Sequence, residues 1–356
     1  MSGWNATTLG TLINLKRGYD LPSQSRIFGD IPIYSSSGVS GYHRAKMCDG
    51  PGVITGRYGT IGQIFFSKSP YWPLNTTLYV QDFRGNDELF VYYFLKLLDW
   101  EKYSDKSAVP GVNRNDVHQE NVVFPPLPEQ KAIAAVLSSL DDKIDLLHRQ
   151  NTTLEAMAET LFRQWFVVEA KDDWEATTLG DVIEIFDGQR VPLSNVERDK
   201  KKDGVLYPYY GAAQIMDYIN DYIFDGEYIL LGEDGTVRTE EGYPVLQYAT
   251  GKFWVNNHAH VLRSKEPYSN FFLWNYLSKK NIDEIVTGAV QPKINQGNLK
   301  SLGFPHFPEN LVNEFNNRTQ PILNKIQHNK AHENQLKKLR ETLLPKLMSG
   351  EVRVRF

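Results

Sequence analysis

Between Pro128 and Phe166 the chain carries a seam. Ile133, Leu137, Leu140, Ile144, Leu147, Asn151, Leu154, Ala158, Leu161 and Trp165 follow one another at alternating steps of four and three, apolar everywhere except Asn151. That spacing keeps one stripe of an α-helix turned toward a partner helix. Pro128 sits where a first-turn proline is tolerated, and no Gly or Pro follows until the pattern ends. The spacing predicts a helix over 128–166, on the order of 58 Å long at about 1.5 Å per residue. A seam so narrow needs a second helix to cover it. The C-terminal region supplies one: Asp142-Lys143-Ile144 and Glu159-Thr160-Leu161 recur as Asn324-Lys325-Ile326 and Glu341-Thr342-Leu343, both 182 positions later. The stretch 322–344 carries this repeat on the second helix, with Ile326, Leu336 and Leu343 on its seam. Pro345 is expected to end or kink it, leaving Ser349-Gly350-Glu351 as a turn and 352–356 as a short tail.

The repeat extends through the chain. Trp4-Asn5-Ala6-Thr7-Thr8-Leu9-Gly10 returns as Trp174-Glu175-Ala176-Thr177-Thr178-Leu179-Gly180. Residues 18–22 are answered by 188–192, 33–38 by 208–213, 72–80 by 254–262, and 108–113 by 289–294. The offset drifts from 170 to 182, as loop insertions would produce. The chain therefore reads as a tandem duplication, each half one globular unit followed by one long helix. Within a unit the pattern is short strands and turns. Val53-Ile54, then Gly56, Gly59 and Gly62, then Ile64-Phe65-Phe66 read as strand, glycine turn, strand. Helical stretches are expected near 90–100 and 271–279. The class is α+β. Prolines at 125–128 and 305–308 mark junctions between unit and helix, and 167–173 reads as a linker.

Composition narrows the functions. The single Cys48 excludes a disulfide framework and a cysteine zinc site, and fits a reducing cytosol. No signal peptide or apolar run of membrane-spanning length is visible. Nineteen tyrosines and seven tryptophans are expected mostly in the core. There is no serine-nucleophile elbow, zinc-protease helix motif, kinase set or dinucleotide fingerprint, which moves the expectation from catalysis toward binding. Phe124-Pro125-Pro126 lacks the preceding Asp or Asn of an adenine-methyltransferase motif.

The turn Gly56-Arg57-Tyr58-Gly59-Thr60-Ile61-Gly62 lacks the Gly-Lys-Ser/Thr of a phosphate loop and leads into a strand rather than a helix. It reads instead as a turn presenting Arg57 and Tyr58. Arginine suits guanine edges and phosphates, and tyrosine suits stacking. DNA-contact candidates are Arg57, Tyr58 and Thr60 in the first unit and Thr236 and Arg238 in the second, with Arg17, Asn113, Arg190 and Lys293 as further loop residues. His258 and His260 stand two apart, so in one strand they would share a face. No neighbouring Cys, Asp or Glu in the sequence completes a metal set, and the matching segment 74–78 has no histidine, so no metal is expected.

The duplicated units, Pro-Leu-Pro-Glu-Gln at 126–130, Leu140-Asp141-Asp142-Lys143-Ile144, and Leu347-Met348-Ser349-Gly350-Glu351 together resemble the specificity (S) subunits of type I restriction-modification systems. The resemblance spans nearly the whole chain. It implies two α/β target-recognition domains, 1–127 and 172–307, separated by long helices in 128–171 and 308–356 that pack as an antiparallel coiled coil and space the half-sites. It implies double-stranded DNA with a bipartite site as ligand. It implies two methyltransferase (M) subunits that bind S-adenosylmethionine and methylate adenine N6, and restriction (R) subunits. The S subunit itself is implied to be non-catalytic, without cofactor or membrane contact, and cytoplasmic. Pro308-Glu309-Asn310 departs from the Pro-Glu-Gln pattern, and the middle of the second helix is polar around Asn329 and Glu333.

Charge pulls the other way. The chain is net −4; residues 1–125 hold 12 Lys and Arg against 11 Asp and Glu, and 172–306 hold 13 against 20. An acidic domain binds phosphate poorly on its own. The alternative reading is an acidic scaffold or DNA mimic that binds proteins. Residues 1–84, with 8 basic residues against 4 aspartates, argue against mimicry in the first unit.

Overall fold

The computed structural model describes residues 3–104, 111–171, 173–288 and 290–354. Ala108, Val109, Pro110 and Ala289 of the repeat, and residues 355–356 of the expected tail, lie outside them. The chain folds as two compact units. One joins the residues up to His148 to those from Ala331 onward; the other runs Arg149–Lys330.

In the first unit Asn5–Thr8, from the repeated heptapeptide, pairs antiparallel with Asn121–Phe124. A four-stranded sheet has the order Asn14–Arg17, Thr77–Asp82, Gly52–Gly56, Ile64–Ser67. A three-stranded one has the order Gly38–His43, Ile31–Ser35, Trp72–Pro73. In the second unit Ala176–Thr178 pairs with Gly303–Pro305 in the same way. There the two larger sheets merge into one of six strands: Ile183–Ile185, Ala259–Ser264, Phe224–Gly232, Leu246–Val255, Tyr207–Tyr210, Ile215–Ile219. The ten-residue strand Leu246–Val255 runs where the first unit has two short strands. Pro70 lies between those two, and a proline cannot donate to the ladder.

The strand–turn–strand pattern is present: Gly52–Gly56 pairs with Ile64–Ser67, and every residue of Gly52–Gly56 is buried. The turn after it folds back so closely that a Cβ at Gly56 would lie 1.8 Å from the Thr60 carbonyl oxygen. Gly232 and the Thr236 carbonyl repeat the arrangement. The expected short helices are Glu88–Leu95 and Asn270–Leu277. Asp87 and Ser269 cap them, accepting the N–H of Phe90 at 2.8 Å and of Phe272 at 3.0 Å.

The first long helix is Leu127–Arg163, continued by a π turn over Gln164–Val168. No seam residue is exposed. Ile133, Leu137, Leu147, Asn151 and Ala158 are buried, and Leu140, Ile144, Leu154, Leu161 and Trp165 are half-buried. Facing residues Ile326, Leu336 and Leu343 are likewise buried or half-buried. Within each unit the helices run antiparallel. In the first, Glu129 meets Arg353 and Asp141 meets Arg340 at 2.5 Å. In the second, Asn151 meets Asn329 at 3.0 Å and the rings of Phe162 and Phe315 lie 5.6 Å apart. The helix ends also complete the cores: Leu347 and Met348 join Leu9, Phe90 and Phe124, while Phe162 and Phe166 join Phe272, Phe307 and Phe315.

The second long helix corrects the sequence reading. It spans Glu309–Ser349, from the proline junction at 305–308 through Pro321 and on past Pro345, where an end or kink was expected. An interior proline removes one backbone bond, but burial of Leu347 and Met348 beyond Pro345 holds the last turn in place. The stop comes at Gly350, left-handed at φ 74°, where the Val352 N–H reaches back to the Lys346 carbonyl at 3.1 Å. Among the described residues no helix is long and apolar enough to cross a membrane.

Candidate nucleic-acid interface

In the first unit, four parts of the chain surround one cleft of about 430 Å³. It brings together four of the residues singled out in the sequence, Arg17, Arg57, Tyr58 and Asn113, and adds Arg114. Arg17 ends the strand Asn14–Arg17; Arg57 and Tyr58 follow Gly52–Gly56. The Arg57 and Tyr58 N–H groups both donate to the Thr76 carbonyl, and the Val112 N–H donates to the Arg57 carbonyl at 2.9 Å. These bonds fix the loop backbones and leave the side chains outward. The Arg57 guanidinium lies 4.6 Å from the Tyr58 ring centroid, within cation–π reach. Asn113 is the N-cap of Arg114–His118; its side chain accepts the Asn115 N–H at 3.0 Å. Thr60 lies on the turn but not in the cleft wall. Sequence reading missed Arg114. Its signal was its place just after a capping Asn in a loop, which is weak without the fold.

His118 underlies this wall. Its Nε2 accepts the Leu15 N–H at 2.9 Å, so that nitrogen carries no proton. Burial, with the charges of Arg114 and Arg84, holds the imidazole below its ordinary pKa.

In the second unit the loop cations have partners. Arg190 is largely enclosed, 2.6 Å from Glu233, 3.5 Å from Asp187, and donating to the Ala259 carbonyl at 2.7 Å. Lys293 lies 3.4 Å from Glu233, and Arg238 pairs with Asp283. Thr236 is exposed on its turn. The histidine pair departs from expectation. His258 lies on a turn rather than in the strand, 2.5 Å from Asp234, while His260 is wholly buried in Ala259–Ser264. They share no face.

Acids do approach His260, contrary to the sequence reading, because Asp187 and Glu233 come from segments distant in the chain. Ligand-type atoms of Asp187, Glu233 and His260 lie within 4.8 Å of one another. Their bonding suits charge pairing better than a metal. His260 faces Asp187 Oδ2 at 2.6 Å and the Ile294 carbonyl at 2.8 Å, so both ring nitrogens are engaged. Asp187 also accepts from Gln296 at 2.7 Å and from the Val261 N–H at 2.9 Å. Burial pushes the Asp187 carboxyl up, but His260, the Val261 N–H and Arg190 outweigh it and hold it below the usual carboxylate range. Arg190 already supplies the positive charge a cation would bring.

The comparisons with known proteins agree with this architecture. The family model described as "Type I restriction modification DNA specificity domain" matches residues 1–156 and again 171–310. The MjaIX type I restriction enzyme specificity subunit of Methanocaldococcus jannaschii is 25% identical over 338 residues, covering 83% of this chain and 76% of that protein. A putative type I restriction enzyme specificity subunit of Haemophilus influenzae, S.HindORF215P, is 36% identical over 137 residues. That match covers 38% of this chain and only 34% of the relative's length. The crystal structure of a type I restriction-modification S subunit from M. genitalium shares the fold, with a TM-score of 0.65 at 18% identity over 97% of this chain and 96% of that one. Matched twice along its length by one family model, the chain belongs to the type I restriction-modification DNA specificity family.

Proposed function

We propose that this chain is the specificity subunit of a type I restriction-modification complex and reads a bipartite DNA site. Residues 1–127 and 172–307 act as the target-recognition domains, one per half-site. Loop residues do the reading: Arg57, Tyr58, Thr60, Arg17 and Asn113 in the first, and Thr236, Arg238 and Lys293 in the second, where Arg190, held by Glu233 and Asp187, shapes the loops from beneath. Two methyltransferase subunits dock on it and supply S-adenosylmethionine chemistry; restriction subunits join them. The chain is the non-catalytic member, holds no cofactor of its own, and works in the cytoplasm. The observation that carries this reading is that one α+β unit is built twice on antiparallel helix pairs while the loops at equivalent places differ in chemistry. Two different half-sites require that combination.

The net −7 of residues 172–306 favours the second reading, an acidic scaffold or DNA mimic. Mobility shifts on a randomised duplex library decide between them, using the complex reconstituted with methyltransferase subunits. Sequence-selective binding whose logarithm falls linearly with the logarithm of salt supports the specificity reading. Binding of the partners without any DNA shift supports the scaffold. Methyl transfer by the isolated chain would overturn the non-catalytic assignment.

A further inference from the structure

The two units can be superimposed residue by residue around the cleft through their hydrogen bonds alone. Gly56 pairs with Thr77 in the first unit, and Gly232 with Ala259 in the second. The Val112 N–H donates to the Arg57 carbonyl, and the Ile294 N–H donates to the Glu233 carbonyl at 2.8 Å. Asn113 caps Arg114–His118, and Asn295 caps Gln296–Ser301. Arg17 pairs with Leu78; Ile185 pairs with Leu262, which carries the same register on to Asp187 and His260. So Arg17, Arg57, Leu78 and Arg114 stand where the second unit has Asp187, Glu233, His260 and Gln296.

The chemistry is inverted at these places. In the second unit two acids converge, and the unit answers them with its own Arg190, His260 and Gln296. The place is filled by the chain itself. In the first unit three guanidinium groups line an open cleft. Arg17 has only the exposed Asp20, at 3.7 Å, and among the described residues no carboxylate pairs with Arg57 or Arg114. Like charges gathered without an internal counter-charge favour a guest rich in hydrogen-bond acceptors. Arg57, its guanidinium 4.6 Å from the Tyr58 ring centroid, carries a planar donor fork of the kind that meets two coplanar acceptors.

We infer that Arg17, Arg57 and Arg114 form a binding site for the O6/N7 acceptor edge of a guanine in the first half-site, and that the second half-site has no guanine read at the equivalent place. This rests on the proposed DNA-reading function. A backbone phosphate offers similar acceptors, and the experiment separates the two.

The complex reconstituted with methyltransferase subunits is given a randomised duplex library, and methylated sites are sequenced for wild type, Arg57→Ala and Arg114→Ala. Wild type should show an invariant guanine in the first half-site. Arg57→Ala should relax that one position, lose on the order of 10- to 100-fold on the wild-type site, and leave the second half-site unchanged. Equal weakening on all sequences, with a shallower salt dependence, identifies a phosphate contact and overturns the guanine assignment. An unchanged site in both variants removes the cleft from recognition. A measurement free of folding effects uses the wild-type chain on DNA carrying 7-deazaguanine at that position. Affinity should fall for wild type and not fall further for Arg57→Ala; an unchanged wild-type affinity overturns the N7 contact. A wild-type complex without sequence preference would instead fail the DNA-reading function itself.

Discussion

The two units share a backbone plan and differ in how they handle charge. The first leaves three arginines open in its cleft and buries charge where its long helix begins. There the carboxylate of Glu129, 1% exposed, accepts from Trp4 Nε1 at 3.0 Å and from Arg353 Nη2 at 2.7 Å. Beside it Gln130 accepts the Asp87 N–H and donates to Asn86 and the Pro125 carbonyl. The second does the reverse. It closes its acids onto Arg190 in the loops, while Glu309 and Asn310 at its helix start are exposed and Val312 and Phe315 anchor the helix by apolar burial. A duplicated fold thus tolerates exchange of polar for apolar anchors, provided the buried charge keeps its partners.

The largest effect is expected from making both units the same. Residues 331–348, which help close the first unit, are the repeat partners of 149–166. In a fragment of residues 1–173, Trp165 and Phe166 of a second copy can take the places of Leu347 and Met348. The fragment should be a two-fold homodimer by sedimentation equilibrium at tens of micromolar. With methyltransferase subunits it should methylate an inverted repeat of the first half-site. A monomer, or an asymmetric methylated site, counts against the duplication as the organising principle.

Next in size is the contrast between the helix starts. Glu129→Ala strips the Trp4 N–H and the Arg353 guanidinium of their acceptor. It should cost about 2–3 kcal/mol, below the roughly 3–5 kcal/mol of a fully buried broken pair because Arg353 is half-exposed. Glu309→Ala should stay within about 0.5 kcal/mol. Urea unfolding of the full chain measures both; equal losses would remove the distinction between polar and apolar anchoring.

The seam offers a smaller effect. Asn329 Nδ2 donates to Asn151 Oδ1, while Asn329 Oδ1 has no partner among the described residues. Asn151→Leu alone leaves Asn329 Nδ2 with only its long 3.5 Å bond to the Gln150 side-chain carbonyl and should cost about 1–2 kcal/mol. Adding Asn329→Leu should restore or exceed wild-type stability, since an apolar pair leaves nothing unsatisfied. An additive loss in the double variant would show that the amide pair stabilises the seam outright.

What the sequence disclosed follows from range. The seam at Ile133 to Trp165, the strand–turn–strand around Gly56 and the repeated heptapeptide are periodic or local, so their spacing alone exposes them. The three-arginine cleft is not local. Arg17, Arg57 and Arg114 meet only because strand pairing brings a strand end, a turn and a helix start together, and no spacing rule joins them. For the same reason Asp187 and Glu233 escaped notice beside His260. Pro345 misled because local propensity says stop, whereas burial of Leu347 and Met348 decides. Glu129 and Gln130 were visible as a family motif, but their burial was not.

The last contrast is in pH. A Cβ at Gly10 would meet the His118 Cβ at 2.8 Å, and one at Gly180 would meet the Lys300 Cβ at 2.9 Å, so His118 and Lys300 hold equivalent places. Only the first unit has a group there that titrates near neutrality. The folded His118 lies below its ordinary value of 6.5, so on acidification the unfolded chain takes the proton first. The stability that the neutral ring contributes is complete above about pH 6.5 and is lost as pH falls from there through the folded value. His118→Gln keeps an acceptor for the Leu15 N–H and cannot titrate. Thermal melts of the two full-length chains between pH 8 and pH 5 should converge as the pH falls below about 6.5, because only the wild type loses this contribution. Parallel curves across that window would mean that His118 takes its proton as readily in the fold as outside it, and that Arg114 and Arg84 do not reach it electrostatically.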